Sequence, residues 1–386
     1  MKSTLRKPIY LSPPHMSGEE QNYIEEAFRT NWIAPVGPHL QAFEQEMELL
    51  TGAAYAVAVT SGTAAIHLAL AVLGIKQGDR VFCSTFTFVA SANPILYQGA
   101  EPVFIDSEPT SWNMSPTALK RALSTAYKKK KLPKAVIVVH LYGQTSRMEE
   151  IMKICNKYKV PVIEDAAESL GSSYKGKASG TIGDIGIYSF NGNKIITTSG
   201  GGMLVTNKKD LADKAKFLAT QAKEEAEHYQ HKEKGYNYRM SNVLAGIGRA
   251  QLRVLNERVE EKRKIYQRYA QSLPFYFMPE YSNSRSSRWL TACLLPSDSD
   301  PVEIIESMRS HQIEVRRVWK PLHMQPLFQN TEFYQHTKGL SVAETFFRHG
   351  ICLPSGTNMT KEEQLYVMNL LRENTRTTIS QEAVIF

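Results

Sequence analysis

The sequence predicts an α/β fold, with a mainly parallel seven-stranded sheet flanked by helices and a small α+β C-terminal domain. Three observations carry this. From about residue 56 to 206, short β-branched runs alternate with helical patterns; that order implies parallel strands covered by helices on both faces. Residues 207–272 then keep mostly helical periodicity. Pro274 marks a boundary, after which strands and helices alternate again over a shorter stretch. The expected division is 1–273 for the large domain, with the first fifty residues wrapping along both domains, and 274–386 for the small one.

In chain order, Tyr23–Phe28 and Leu40–Leu50 have helical spacing. Strands are predicted at Ala56–Val59, Arg80–Cys83, Pro102–Asp106, Ala135–His140, Val160–Glu164, Ile185–Ser189 and Gly202–Thr206. Between them, helices are predicted at Thr63–Leu73, Phe86–Leu96, Ser115–Tyr127 and Arg147–Tyr158. Lys209–Thr220 reads as a helix, Lys223–Lys234 as a polar loop, and Ser241–Leu273 as one long amphipathic helix. The small domain is predicted to hold strands near Arg288–Leu295 and Ile313–Val318 and helices near Val302–His311 and Lys361–Arg372.

The bulk numbers are those of an ordinary globular chain: 386 residues, 42% hydrophobic, 22% charged. A net charge of +8 suits anionic ligands but is no nucleic-acid footprint by itself. The run Lys128–Lys131 closes a predicted helix, where cations suit the helix C-terminus. Cys83, Cys155, Cys293 and Cys352 lie far apart without metal-type spacing, which favours a reduced, cytoplasmic setting and no metal site. The N-terminus has charge but no apolar core to make a leader, and no apolar run is long enough for a membrane span. The expectation is therefore neither a nucleic-acid nor a membrane partner.

The chemistry centres on Lys194. The segment Ile185-Gly-Ile-Tyr-Ser-Phe-Asn-Gly-Asn-Lys194 leads a strand into a loop, and Gly200–Gly202 opens the next strand. A lysine held between buried strands is poorly solvated, and a desolvated amine can attack a carbonyl to form a Schiff base. Asp165 ends the strand Val160–Asp165. A Schiff-base lysine with an aspartate for a pyridinium nitrogen is the protein half of a pyridoxal phosphate (PLP) site.

Thr60-Ser-Gly-Thr-Ala64 joins a strand to a helix and suits a phosphate, although capping by Ser61 or Thr63 explains it equally. Phe88 could stack on a planar ring or belong to the core. Glu168 follows Asp165 by one helical turn, and Ser189 ends a strand. Gly235-Tyr-Asn-Tyr-Arg239 is a polar aromatic patch before a long helix; Arg285, Arg288, Arg316 and His323 lie in the C-terminal part. Arginines there suit phosphate or carboxylate, or serve surface ion pairs.

These pieces, with Val103-Phe-Ile-Asp106, Glu164-Asp-Ala-Ala-Glu-Ser-Leu-Gly171 and Arg316 through His323, span nearly the whole chain. The chain resembles the DegT/DnrJ/EryC1/StrS family of PLP-dependent sugar aminotransferases. The resemblance implies the fold-type I aminotransferase architecture. It implies Lys194 as the Schiff-base and proton-shuttling residue and Asp165 on the pyridine nitrogen. Phe88 would stack on the ring, Glu168 would lie near its hydroxyl, and Gly62, Thr63 and Ser189 would hold the phosphate. Asn237 would reach the cofactor phosphate of a neighbouring subunit, which implies a homodimer with shared sites. Arg239, Arg285, Arg288, Arg316 and His323 are the candidates for substrate contact. Two departures stand out: many relatives carry Gln at the position of Glu168 and His at that of Asn191.

Within the family, Tyr188–Gly202, Leu11–Met16, Asn283–Trp289 and Cys352–Thr357 are most similar to enzymes of bacillosamine-type synthesis. The implied reaction moves an amino group from glutamate to C4 of UDP-2-acetamido-2,6-dideoxy-4-hexulose. The product would feed bacillosamine or legionaminic acid synthesis. A dTDP- or GDP-linked sugar is the alternative substrate. A dehydratase of the same fold would carry His in place of Lys194, and a PLP-binding regulator would be expected to carry an extra module that this chain lacks.

Overall fold

In the computed structural model of the chain, which describes residues 7–375, fifteen strands fall into three sheets. In chain order they are β1 (Tyr55–Val59), β2 (Arg80–Ser84), β3 (Glu101–Ile105), β4 (Ala135–Val139) and β5 (Val162–Asp165). Then come β6 (Ser173–Tyr174), β7 (Lys177–Ala178), β8 (Ile185–Ser189), β9 (Gly202–Thr206) and β10 (Tyr276–Phe277). The last five are β11 (Ser284–Arg285), β12 (Thr291–Leu294), β13 (Arg316–Arg317), β14 (Phe333–Tyr334) and β15 (Gly350–Leu353).

The large sheet has the order β1-β9-β8-β5-β4-β2-β3-β14. Only β9 runs against its neighbours β8 and β1; the other pairs are parallel. All five residues of β4 are buried, as expected of a parallel strand covered on both faces. The seven expected strands are all present. The eighth, β14, comes from beyond Pro274 and pairs with β3, while β11 pairs with β6. Parts of the C-terminal segment thus lie on the large body. A second sheet, β10-β12-β15-β13, makes the core of the rest.

The helices are α1 (Glu20–Arg29), α2 (Pro38–Thr51), α3 (Gly62–Val72), α4 (Asn93–Tyr97), α5 (Pro116–Lys128) and α6 (Met148–Tyr158). They continue with α7 (Lys209–Ala219), α8 (Asn242–Arg253), α9 (Leu255–Ser272), α10 (Pro301–Ser310), α11 (Val342–His349) and α12 (Lys361–Asn374). Side-chain caps at Ser61, Ser115, Ser241, Asp300 and Ser341 start five of them, and Thr360 with Glu363 forms a capping box on α12.

Two expected helices differ. Phe86–Leu96 becomes a 3₁₀ turn, Val89–Ser91, followed by the short α4. Pro94 is tolerated only in the first turn of a helix, and the Thr87 hydroxyl bonds Ser91 instead of extending one. Ser241–Leu273 is two helices, broken at Val254 (φ −102°, ψ 2°). Periodicity continued through the break because both helices bury a face.

The N-terminal segment bridges Ile313 through Ile9, accepts from Ser355 at Leu11, and then packs α1 and α2 on α8. Gly248 permits that packing: a Cβ there would lie 2.6 Å from the Phe43 ring. Residues 1–6, on which the expectation about a leader partly falls, lie outside the described residues, as do 376–386. Among the described residues no helix is long and apolar enough to cross a membrane, and no His, Cys, Asp or Glu group could hold a metal ion. All four cysteines are buried and free.

Candidate active site

Strands β1, β5 and β8 all end at one side of the large sheet, where a cleft of about 340 Å³ opens. Ligands are expected beyond the carboxyl ends of parallel strands. Gly62, Thr63, Phe88, Asp165, Glu168, Ser189 and Lys194 all line this cleft, so it gathers seven of the residues singled out above.

Asp165 is buried, with 5% of its surface exposed. One carboxylate oxygen accepts from the Ser91 hydroxyl at 2.6 Å, the other from the Ala167 N–H at 3.1 Å. Ser91 is itself bonded to Thr87 at 2.8 Å. The carboxylate is therefore fixed in direction before any ligand arrives, which is the arrangement that costs least to reorganise.

Lys194 stands on the β8–β9 loop with Nζ 4.2 Å from the centre of the Trp289 ring and 3.8 Å from Glu168 Oε1. Glu168 accepts from the Tyr142 backbone N–H at 2.9 Å and from the Trp319 indole N–H at 3.3 Å. Burial raises its carboxyl above the usual range; Lys194 and the Tyr142 N–H oppose that, and Asp165 reinforces it. Tyr142 reaches this contact with a left-handed backbone, φ 50°.

At the other end, Ser61 caps α3 by accepting from Ala64 N–H, and the first turn of α3 faces the cleft beside Ser189. A Cβ on Gly62 would approach the Ser189 Cβ to 3.1 Å, and one on Gly202 would lie 2.4 Å from the Ser61 carbonyl carbon. Glycine at both positions keeps the helix start, the end of β8 and the start of β9 in contact. A helix N-terminus with a hydroxyl beside it favours an anion such as phosphate. Phe88 is half exposed on the cleft wall, its ring centre 5.2 Å from that of Trp319.

The remaining candidates lie elsewhere. Arg239 is buried against Glu44 and the Ala58 carbonyl. Arg288 is also buried, over the Tyr266 ring at 3.7 Å and bonded to the Met278 carbonyl at 2.6 Å; desolvation lowers its guanidinium from the usual range. Arg285 pairs with Glu260 on the surface, and the exposed Arg316 with Glu314. His323 sits between Thr85, Glu344 and the Phe333 ring. None of these five lines the cleft within the described chain. Their protein partners satisfy them, which spacing along the chain did not reveal. Asn237 is exposed, paired through its backbone with Thr220, also away from the cleft.

The cleft is also lined by Ser91, Asn193 and Trp289, which were not expected as site residues, and by Trp319, which lies within the Arg316–His323 stretch noted in the sequence. Ser91 lies three residues beyond Phe88, one turn along the same segment. The two tryptophans come from beyond Pro274 and reach the cleft only through tertiary packing.

Residues 14–372 match the DegT/DnrJ/EryC1/StrS aminotransferase family. The chain belongs to that family. It is 60% identical over 371 residues to EpsN of Bacillus subtilis (strain 168), assigned as a pyridoxal phosphate-dependent aminotransferase, covering 95% of this chain and 96% of that protein. It is 36% identical over 368 residues to GDP-perosamine synthase of Escherichia coli O157:H7, covering 95% and 98%. Among solved structures, a DegT DnrJ EryC1 StrS aminotransferase from Brucella abortus superposes with a TM-score of 0.87 at 26% identity, over 93% of this chain and 96% of that one.

This aminotransferase is thus a PLP-dependent sugar aminotransferase of fold type I. Its cleft fits the cofactor on its own terms, because a buried, pre-oriented carboxylate, a lysine amine, an exposed aromatic face and a helix N-terminus surround one space.

Proposed function

We propose that this aminotransferase moves an amino group from glutamate to C4 of UDP-2-acetamido-2,6-dideoxy-4-hexulose. The product is UDP-2-acetamido-4-amino-2,4,6-trideoxy-glucose, for bacillosamine or legionaminic acid type glycans. The observation that carries the amino transfer is the convergence of Lys194 and Asp165 on one cleft. The UDP sugar rests on the resemblance of Tyr188–Gly202 and Asn283–Trp289.

Bound in this cleft, PLP supplies an aldehyde that exchanges amino groups and a ring that takes up carbanion charge. Asp165, held by Ser91, would keep the ring nitrogen protonated. Gly62, Thr63 and Ser189 would hold the phosphate, and Phe88 would cover one ring face. Lys194 Nζ would take the α-proton from glutamate and return a proton to C4 of the sugar. Glu168, clamped by Tyr142 and Trp319, would face the ring hydroxyl.

The working form in this reading is a cytoplasmic homodimer with shared sites. Asn237, exposed and remote from its own cleft, would reach the phosphate held by the partner subunit. Of the remote residues, Arg285, Arg316 and His323 are retained as substrate contacts where subunit pairing brings them to a site, whereas Arg239 and Arg288 are buried on protein partners. The division at Pro274 into 1–273 and 274–386 is proposed as the unit structure, and the four buried free cysteines suit a reducing compartment.

A GDP-linked 4-keto sugar is the second reading, favoured by the 36% identity to a GDP-perosamine synthase. Mass spectrometry after incubation with PLP, glutamate and the UDP-, GDP- or dTDP-linked 4-keto sugar tests both. An amine product from the UDP substrate alone is the expected result. Product from another nucleotide alone would keep the reaction and overturn the pathway.

A further inference from the structure

We propose that Lys262 is a positioning residue for Lys194, acting through Ser12 and Trp289 on the backbone carbonyl of Asn193. Lys262 lies on α9 and is buried, with 3% of its surface exposed. Its Nζ donates to the Trp289 carbonyl at 2.9 Å, the Ser355 carbonyl at 2.9 Å and the Ser12 hydroxyl oxygen at 3.3 Å. Two of those partners turn to the same atom. The Trp289 indole N–H donates to Asn193 O at 2.8 Å, and the Ser12 hydroxyl donates to it at 3.1 Å.

Asn193 immediately precedes Lys194. The carbonyl before the reactive lysine is therefore held by two donors, each tethered to one ammonium. The bond count makes the arrangement specific. Ser12 has one hydrogen, which it gives to Asn193, so its oxygen can only accept from Lys262. All three contacts then need three N–H donors, which only the ammonium supplies. Burial pulls this ammonium down to about 7; three acceptors within reach favour the charged form against that pull.

The same atom ties together three parts of the molecule: the N-terminal segment at Ser12, the β15 exit at Ser355, and the cleft wall at Trp289. The Trp289 ring in turn lies against Lys194 Nζ. Displacing this tryptophan would both uncover the amine and release the Asn193 carbonyl. The inference rests on Lys194 being the reactive lysine, but its first test does not use turnover.

The full-length chain and its Lys262→Met, Ser12→Ala and double variants are compared by hydrogen exchange with peptide-resolved mass spectrometry. Lys262→Met is expected to speed exchange at residues 190–196 by about tenfold or more, leaving β4 within about twofold. Ser12→Ala should give a smaller rise at the same residues and add little in the Lys262→Met background, because both act on one carbonyl. In the PLP-loaded enzyme, kcat should fall about tenfold with KM for glutamate within about twofold. Unchanged exchange at 190–196 in both single variants would overturn the proposal. So would a rise spread equally over the whole chain, the mark of a weakened fold. If exchange behaves as expected and no substrate turns over, the positioning role stands and the assigned reaction fails.

Discussion

Strand β5 carries two adjacent acids that do opposite work. Glu164 is fully buried and accepts from His140 Nε2 at 2.7 Å and from the backbone N–H groups of Gly180, Ile182 and Gly183. The Ser146 N–H donates to His140 Nδ1, so the ring hydrogen lies on Nε2 and points at Glu164. Asp165, one residue on, turns to the other face of the sheet, as alternate strand residues must. It takes one hydroxyl and one N–H and opens on the cleft. A buried carboxylate whose donors all come from the protein is structural. One that the protein orients and leaves facing a cavity is available to a ligand.

The comparison can be broken from the cleft side first. Lys194→Ala should cut turnover by more than about 10⁴-fold while PLP still binds without a covalent link. Sustained multiple turnover by that variant would remove the basis of the site. Asp165→Asn should lower kcat by about 10²–10³-fold with little change in melting temperature; a variant that unfolds instead would make Asp165 a structural acid like Glu164.

On the other face the expectation reverses. Glu164→Gln places an amide against backbone donors and should cost about 2–3 kcal/mol of stability, read from the urea midpoint. Its kcat, measured where the variant is folded, should stay within about threefold of the parent. A collapse of kcat with an unchanged midpoint would erase the distinction between the two acids.

Glu168→Gln sharpens the comparison with the smallest effect. Because burial raises the Glu168 carboxyl, the folded chain holds that proton at pH values where the unfolded chain has released it. The stability Glu168 contributes is full below the ordinary carboxyl range and is lost as pH rises through the raised value. In the cofactor-free chain, the variant's melting temperature should gain on the parent's as pH rises from the ordinary carboxyl range towards neutral. A constant difference across that range would mean that Glu168 keeps an ordinary titration.

The cleft residues were legible where chemistry follows strand ends. Asp165 and Ser189 end strands β5 and β8, Gly62 opens α3 just beyond β1, and Lys194 follows on the β8–β9 loop; alternation brackets these positions and the family resemblance supplies their roles. The arginines were not legible in the same way. Arg239 and Arg288 have the composition of anion-binding residues, yet Glu44 in one case and Tyr266 with the Met278 carbonyl in the other occupy them. A partner some 195 residues away, as Glu44 is from Arg239, leaves no local pattern.

By itself, the sequence determined the alternating architecture, the strand-end placement of the aspartate, the loop position of the lysine, and the family resemblance that names the cofactor. These follow from periodicity, from turn chemistry and from residues close together along the chain. Tertiary structure alone decided the pairing of β14 with β3, the tryptophan walls of the cleft, the Ser91 support of Asp165 and the burial of Lys262 behind Asn193. Each depends on segments that are distant in sequence meeting in space, and hydrophobic packing, which has no direction along the chain, brings them together.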